Sequence, residues 1–545
     1  MVANNAASTA ARIIRSSHPD IQIPDISLTE FVLGNAARLG DKPALIEGAT
    51  GRTITYTQLV GAVKRCAAGL AAHGLSKGDV LAIYSPNVPE YAIAFHAVAT
   101  LGGITTTVNP LYTTDELVHQ LEDCNAKYLL TVGPLLEKAV PAKERVPSVR
   151  EIIVFGEAEG MTPFASLLAN SGEPPAVSID PHNDLVTLPY SSGTTGLPKG
   201  VMLTHHNVVS ELSLVGARSD DVLFPTEDDT LLAFLPFFHI YGIVMFLDIA
   251  LWRGATVVTM ARFDLEQYLA WVEKYGVTCL HIVPPVVLAL AKHPVVDKYD
   301  LSKARWALSA AAPLGEAVAT AFISRLGTQL IQAYGMTEVS GATHLGSCLP
   351  GSLKPASGGR LVPNTQCLVV DPASGEAVGR NQQGEIWVRG PLIMRGYLGR
   401  AEATAETIDA DGWLHTGDVG YVDEDGDIFI VDRVKELIKY KGLQVAPAEL
   451  EAILLSHPAV ADAAVIPSPD EEAGEVPKAF VVLKSAAAED EIMSFVAAKV
   501  APHKRIRKLQ LIDAIPKSAS GKILRRVLID QERAHAPGAA QPLRA

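Results

Sequence analysis

Short apolar runs alternate with longer segments of helical period over most of the chain. Residues 79–84 read as a strand and 91–101 as a helix after it, and residues 151–155, 184–188, 231–235 and 255–259 read as further strands. Alternation of this kind predicts α/β layers with substantial parallel sheet. The pattern changes after about Asp432. Before it lie β-rich, Gly-rich segments at 384–390, 412–420 and 427–431. After it come a helix over 446–455 with Pro447 near its first turn, strands over 461–466 and 478–483, and a helix over 489–500. The reading is an α/β plus α+β fold. A large N-terminal part of several subdomains spans 25–433, with mixed and parallel sheets and a β-rich subdomain. A small mobile α+β domain spans 437–530. The joint between them, 431–436, is charged and holds neither Pro nor Gly, which suits a hinge at 434–436. Residues 1–24 and 531–545 read as flexible tails.

Composition narrows the partners more than the fold. A chain of 545 residues exceeds one hydrophobic core, and 48% apolar with 19% charged residues is ordinary for a globular protein. The net charge of -14 argues against nucleic acid or an anionic membrane as the main partner. A few placed Lys and Arg can still dominate one cleft, so an anionic small ligand stays open. Cys66, Cys124, Cys279, Cys348 and Cys367 are odd in number and form no C-x-x-C pair. That argues against a disulfide framework and fits a reducing, cytoplasmic location. The most apolar stretch, 276–291, is too short to span a bilayer and is interrupted by Pro284 and Pro285, so no integral membrane association is expected. The expected state is a monomer or homodimer acting on small molecules.

The segment richest in chemistry is Tyr190-Ser-Ser-Gly-Thr-Thr-Gly-Leu-Pro-Lys-Gly200. It follows one strand and precedes another at 201–204. Gly193, Gly196 and Gly200 permit backbone conformations and close approach that other residues forbid. Ser191, Ser192, Thr194 and Thr195 offer hydroxyl donors and Lys199 offers a cation. Backbone N–H groups, hydroxyls and one Lys are what a polyphosphate needs. A Walker A loop has Gly before its Lys and Ser or Thr after it; here Pro198 precedes and Gly200 follows.

This loop resembles the phosphate-binding signature of the adenylate-forming superfamily, which comprises acyl- and aryl-CoA ligases, luciferases and peptide-synthetase adenylation domains. Segments similar to that superfamily's other signatures follow in order: Tyr334-Gly-Met-Thr-Glu338, Gly384-Glu-Ile-Trp-Val-Arg-Gly390, Trp413-Leu-His-Thr-Gly-Asp418, 431–442 and Pro516-Lys-Ser-Ala-Ser-Gly-Lys522. Pro236-Phe-Phe-His-Ile-Tyr241 and Lys439-Tyr-Lys-Gly-Leu-Gln-Val-Ala-Pro447 resemble the 4-coumarate–CoA ligase-like branch.

The resemblance implies an enzyme that joins a carboxylic acid to AMP from ATP and then passes the acyl group to coenzyme A. Attack of a carboxylate on the α-phosphate brings two anions together, so positive charge must meet the phosphate as the bond forms. The resemblance assigns that charge to Lys522. It also implies that Glu338 holds Mg²⁺ and Thr337 contacts the α-phosphate. Asp418 would accept the ribose hydroxyls beside Arg433, and Gln332, Ala333, Tyr334 and Gly335 would line the nucleotide site. Rotation about Lys435 would then withdraw Lys522 and bring in Lys439 and Gln444 for thioester formation. Arg262, Lys441, Gly442 and Gln444 would meet CoA, and His239 would gate the thiol's approach. The basic run 503–508 reads as a solvated face or as a contact for the CoA 3′-phosphate.

The acyl pocket implied by the resemblance comprises Tyr241, Met245, Leu308, Ala310, Ala333, Val339 and Ser340. Plant 4-coumarate ligases set a Ser and a Lys against the phenol hydroxyl where Met245 and Leu308 stand. Burying that hydroxyl unpartnered costs about 1–3 kcal/mol. Ala310 and Ala333 occupy places where Gly is usual and narrow the slot. An apolar acid is expected, cinnamate-like or medium-chain aliphatic, with the flat aryl-propenoate fitting a narrow slot better. Fatty acyl-CoA ligation, loading of a carrier protein and a luciferase-like monooxygenase share these motifs and stay open. Amino-acid activation is disfavoured because residues 238–247 hold no Asp for a substrate amine. Intact Lys522, Glu338 and Lys439 oppose a non-catalytic ATP-binding module.

Overall fold

The computed structural model describes residues 11–191, 198–219, 222–349, 351–441, 443–470, 472–518 and 521–535, with backbone alone for 533–535. Two large sheets form the body of the N-terminal part. In the first, Leu185–Ser191, Ile104–Val108, Val80–Tyr84, Tyr128–Val132 and Glu151–Phe155 lie side by side and parallel. In the second, Gln329–Met336, Trp306–Ser309, Cys279–Ile282, Thr230–Ala233, Thr256–Thr259 and Pro43–Glu47 do the same. Every residue of Val80–Tyr84, Thr256–Thr259, Cys279–Ile282 and Trp306–Ser309 is buried. Strands buried along their whole length fit sheets covered on both faces. Antiparallel strands extend the edges: Lys199–Thr204 and Gly396–Tyr397 on the first sheet, Gly341–Leu345 and Arg360–Leu361 on the second.

Helices cover both sheets, and their starts are legible in side-chain chemistry. Thr55 with Gln58, Thr113 with Glu116 and Thr204 with Asn207 each close a reciprocal cap over the first turn. The third sheet is antiparallel and joins Gln366–Val370, Gly384–Arg389, Leu414–Val422 and Ile428–Arg433, the last of which runs into the joint. Residues 11–24, expected within a flexible tail, are instead bonded to this sheet. Ile14–Arg15 pairs with Gln366 and Cys367, and the Ile21 N–H donates to Asn364 Oδ1 at 2.8 Å. The register of that short strand depends on a partner some 350 residues away, which local pattern does not carry.

The small domain packs Pro447–Leu455 and Glu489–Ala497 on an antiparallel sheet built around Val460–Asp470 and Gly474–Leu483. Its own apolar core includes Ile438, Leu450, Leu454, Val465, Val481, Ile492 and Val496. The helix Arg525–His535 continues past the expected domain end at 530. The small domain touches the large part at several points. Lys292 Nζ donates to the Leu455 carbonyl at 2.9 Å, and a Cβ on Gly521 would stand 3.3 Å from Pro285. Cys66, Cys124, Cys279 and Cys367 are buried free thiols. Among the described residues, no helix is long and apolar enough to cross a membrane.

Candidate active site

Three sheets converge where their strand ends meet the small domain. Asp418 follows Gly417, whose φ of +71° turns the chain in the left-handed region. The Tyr334 hydroxyl donates to Asp418 Oδ2 at 2.8 Å. Arg433 stands opposite Asp418 in the strand register and donates through Nε to Oδ1 at 3.2 Å. Burial pushes the Asp418 carboxyl up, while Arg433 and the Tyr334 hydroxyl hold it down. Glu338 lies on the turn Thr337–Val339 and is buried, and its Oε1 accepts from the Tyr397 hydroxyl at 2.9 Å. Tyr397 lies on the edge strand beside Lys199–Thr204, and Lys199 Nζ sits 4.2 Å from its ring centroid. Glu338 is thereby tied to the exit of the Gly-rich segment. Ser191 and Lys199 pair across that segment's base. Ser192, Gly193, Thr194, Thr195 and Gly196 lie outside the described residues.

The Gln332 side chain is turned to the backbone around it. It donates to the carbonyls of Leu314 and Pro355 and accepts from the Leu314 N–H at 3.2 Å, so its amide is spent on backbone. Ala333 is half-buried and Gly335 is exposed, on either side of Tyr334. A Cβ on Gly335 would stand 1.9 Å from the Gly341 carbonyl oxygen, so the hairpin closes only with glycine there.

The small domain delivers Lys522 to this cluster. The loop that carries it is closed by the Ser518 N–H donating to the Lys522 carbonyl and by Gly521 at φ +81°. Burial lowers the Lys522 ammonium pKa and Arg433 adds to that, while Asp418, Glu338 and Glu436 push it back up. His239 feels the same lysine. Burial first, and Lys522 second, press its pKa down to about 3, so the imidazole is neutral at physiological pH. Its Nδ1 accepts the Tyr241 N–H at 3.3 Å, which places the ring proton on Nε2. Lys522, Asp418, Arg433, Glu338 and His239 thus share one electrostatic environment, with half-buried Thr337 next to Glu338.

The residues expected at CoA are held elsewhere. Lys439 and Gln444 face each other across the hairpin of Ile438–Tyr440 and Leu443–Val445, and both are exposed. The Lys439 N–H donates to Glu475, and Lys441, at φ +48°, pairs with Glu472. These partners belong to the small domain. Gly442 lies outside the described residues, and Arg262 is exposed on the loop after Thr256–Thr259. Lys435 is exposed between two anchored neighbours. On one side Asp432 accepts from the Ala448 N–H at 2.9 Å. On the other, Glu436 accepts from Arg525, which also grips Glu451.

The expected acyl residues surround a second buried region. Met245 lies on the π-helix Ile243–Ile249, a helix type that is rare outside functional sites. Met245, Leu308, Val339 and Ser340 are buried; Tyr241, Ala310 and Ala333 are half-buried. The Tyr241 hydroxyl lies 3.3 Å from both the Leu308 carbonyl and His281 Nδ1. Ser340 adopts φ +59° and donates to the Leu392 carbonyl at 2.7 Å. Tyr397, His281 and Glu211 were not expected at the site. Glu211 alone carried a signal, as one charge inside the apolar helical run 208–214. The place of Tyr397 follows from edge-strand pairing and has no local sequence sign.

Comparison with known proteins agrees with this geometry. The sequence model of the family described as AMP-binding enzyme matches residues 33–398, and that of the AMP-binding enzyme C-terminal domain matches 449–522. The chain is 45% identical over 527 residues to 4-coumarate–CoA ligase 2 of Petroselinum crispum, covering 95% of this chain and 96% of that relative. It is 43% identical over 544 residues to a 4-coumarate–CoA ligase of Vanilla planifolia, covering 97% of each. Among solved structures, the anthranilate CoA ligase AuaEII in complex with anthranoyl-AMP superposes with a TM-score of 0.86 at 25% identity, covering 94% of this chain and 98% of that one. The o-succinylbenzoate CoA synthetase of Bacillus subtilis in complex with its acyl-adenylate superposes with a TM-score of 0.79 at 31% identity, covering 93% and 98%.

Proposed function

The chain belongs to the AMP-binding enzyme family, and from that premise we propose that it is an AMP-forming ligase that activates an aryl-propenoate, such as cinnamate or 4-coumarate, and transfers it to coenzyme A. The observation that carries this reading is the placement of Lys522. It reaches from one domain into a cluster of Asp418, Glu338 and Arg433 on the other, while Lys439 faces solvent. That is the arrangement the first half-reaction needs. Asp418, fixed by Tyr334 and Arg433, presents carboxylate oxygens to the ribose hydroxyls. Lys522 meets the charge that develops as the substrate carboxylate attacks the α-phosphate and pyrophosphate leaves. Neutral His239 lets the substrate carboxylate approach without trapping it in an ion pair.

A Mg²⁺ ion fits the donor set. Glu338 is buried with one oxygen engaged by Tyr397 and the other available, and Mg²⁺ bound to a nucleotide commonly takes one protein carboxylate with phosphate oxygens and water. Bound there, the ion would neutralise phosphate charge. After pyrophosphate leaves, turning about exposed Lys435 would exchange the Lys522 loop for the Lys439–Gln444 hairpin. Lys441, Arg262 and the basic run 503–508 would then meet the anionic end of CoA. The free thiols of Cys66, Cys124, Cys279 and Cys367 fit a reducing cytoplasm. Incubation of the protein with ATP, Mg²⁺, CoA and either acid tests the reading. Formation of the CoA thioester with AMP and pyrophosphate supports it. Adenylate that accumulates until a carrier protein is added, or thioester from aliphatic acids alone, overturns it.

A further inference from the structure

We propose that Glu211 forms the polar end of the acyl pocket and selects acids that carry a hydroxyl group remote from the carboxylate. The proposal rests on the aryl-propenoate reading and sharpens it. Glu211 lies on the helix His205–Gly216, which packs against both the π-helix bearing Met245 and the strand Gly341–Leu345. It is 1% exposed. Oε1 accepts the Ala342 N–H at 2.7 Å, two residues beyond Ser340 and three beyond Val339. Oε2 has no hydrogen-bond partner among the described residues.

The backbone is shaped around this carboxyl. Gly341 has φ +152°, and a Cβ there would stand 2.4 Å from Glu211 Oε1 and 2.8 Å from Cδ. Glycine at 341 is what lets an acid side chain lie against the chain directly after two acyl-pocket residues. Ser340 is spent on the Leu392 carbonyl and the Tyr241 hydroxyl on the Leu308 carbonyl and His281 Nδ1, while His281 Nε2 and Ser309 Oγ, farther along the sheet, are buried without a partner as Glu211 Oε2 is. Burial also pushes the Glu211 carboxyl up to about 8, so at neutral pH Oε2 carries a proton and can both donate and accept. A hydroxyl does the same in return. An unsubstituted ring or alkyl end leaves Oε2 unserved, which a buried polar atom tolerates poorly. The expectation of an apolar acid came from Met245 and Leu308, where plant ligases hold polar groups; Glu211 supplies the polar partner from a different element.

The test is kcat/KM for 4-coumarate and for cinnamate with the wild type, Glu211→Leu and Glu211→Gln. We expect the wild type to favour 4-coumarate and Glu211→Leu to lose roughly 10–100-fold on 4-coumarate while changing cinnamate by less than about threefold. Glu211→Gln keeps a donor and an acceptor and should retain most of the preference, which also covers a Leu variant that fails to fold. Equal losses on both acids in the two variants, or a wild type that favours cinnamate, overturns the assignment. A wild type that uses neither acid defeats the aryl-propenoate reading instead. Glu211 is then tested on the hydroxylated and plain forms of whichever acid is turned over, and equal use of the two forms overturns it.

Discussion

The two lysines assigned to the two proposed half-reactions sit in opposite circumstances. Lys522 is half-buried in a cluster where nearly every polar group has a partner: Asp418 with Tyr334 and Arg433, Glu338 with Tyr397, Tyr397 with Lys199. Lys439 lies exposed on a two-stranded hairpin whose described bonds stay within the small domain. One site is assembled between domains and the other waits on a surface. A domain that carries both lysines cannot offer both to one reacting carbonyl, because the face that delivers Lys522 turns the hairpin outward. In the proposed reaction, two chemical steps with different charge demands would then be separated in time by a rigid-body turn.

The most severe way to break this asymmetry is Lys522→Ala. Acid-dependent pyrophosphate release should fall about 100-fold or more, the scale of losing one preorganised electrostatic donor. Thioester formation from supplied acyl-AMP should remain. Lys439→Ala should do the reverse, slowing the thioester step about 10–100-fold and sparing pyrophosphate release. Loss of both half-reactions in either variant would defeat the alternating arrangement.

The environment of Lys522 also predicts a pH response. Burial and Arg433 lower its pKa, and its charged form is the active one, so adenylation should decline as pH rises through that lowered value. Above it the rate should drop about tenfold per pH unit. Lys522→Arg stays charged throughout. It should start slower, because its geometry differs, but lack this alkaline limb. A limb that persists in the Arg variant belongs to another group.

The sheets and the small domain were legible because their signals are local. Val80–Tyr84 and Glu151–Phe155 are short apolar runs flanked by helical period, and Gly474–Leu483 is apolar where it is buried. The convergence of Asp418, Glu338 and Lys522 was anticipated because each stands inside a compact motif. What stayed hidden depends on long-range pairing. Ile14–Arg15 becomes a strand only against Gln366 and Cys367, and Tyr397 meets Glu338 only because Gly396–Tyr397 adds an edge beside Val201 and Met202. Gln332 lies in a recognisable motif, yet its amide bonds Leu314 and Pro355, contacts that no motif encodes.

Tyr397 offers the finest adjustment of the contrast between the two sites. Its hydroxyl donates to Glu338 and its ring carries Lys199, so it joins the carboxylate proposed to hold Mg²⁺ to the base of the Gly-rich segment. Tyr397→Phe removes the hydroxyl and keeps the ring under Lys199. Glu338 Oε1 then loses one donor, worth about 0.5–1.5 kcal/mol, so the concentration of MgATP giving half-maximal adenylation should rise about 2–13-fold. The cation–π contact survives, and so should the thioester step from supplied acyl-AMP. Tyr397→Leu loses ring and hydroxyl together and should weaken MgATP use further, by the roughly 0.5–1 kcal/mol of the Lys199 contact. Equal effects of Phe and Leu would mean that the ring does nothing for Lys199. An unchanged MgATP requirement in both would mean that Glu338 is oriented by its turn alone, and the nucleotide site would then owe less to its edge strand than the geometry indicates.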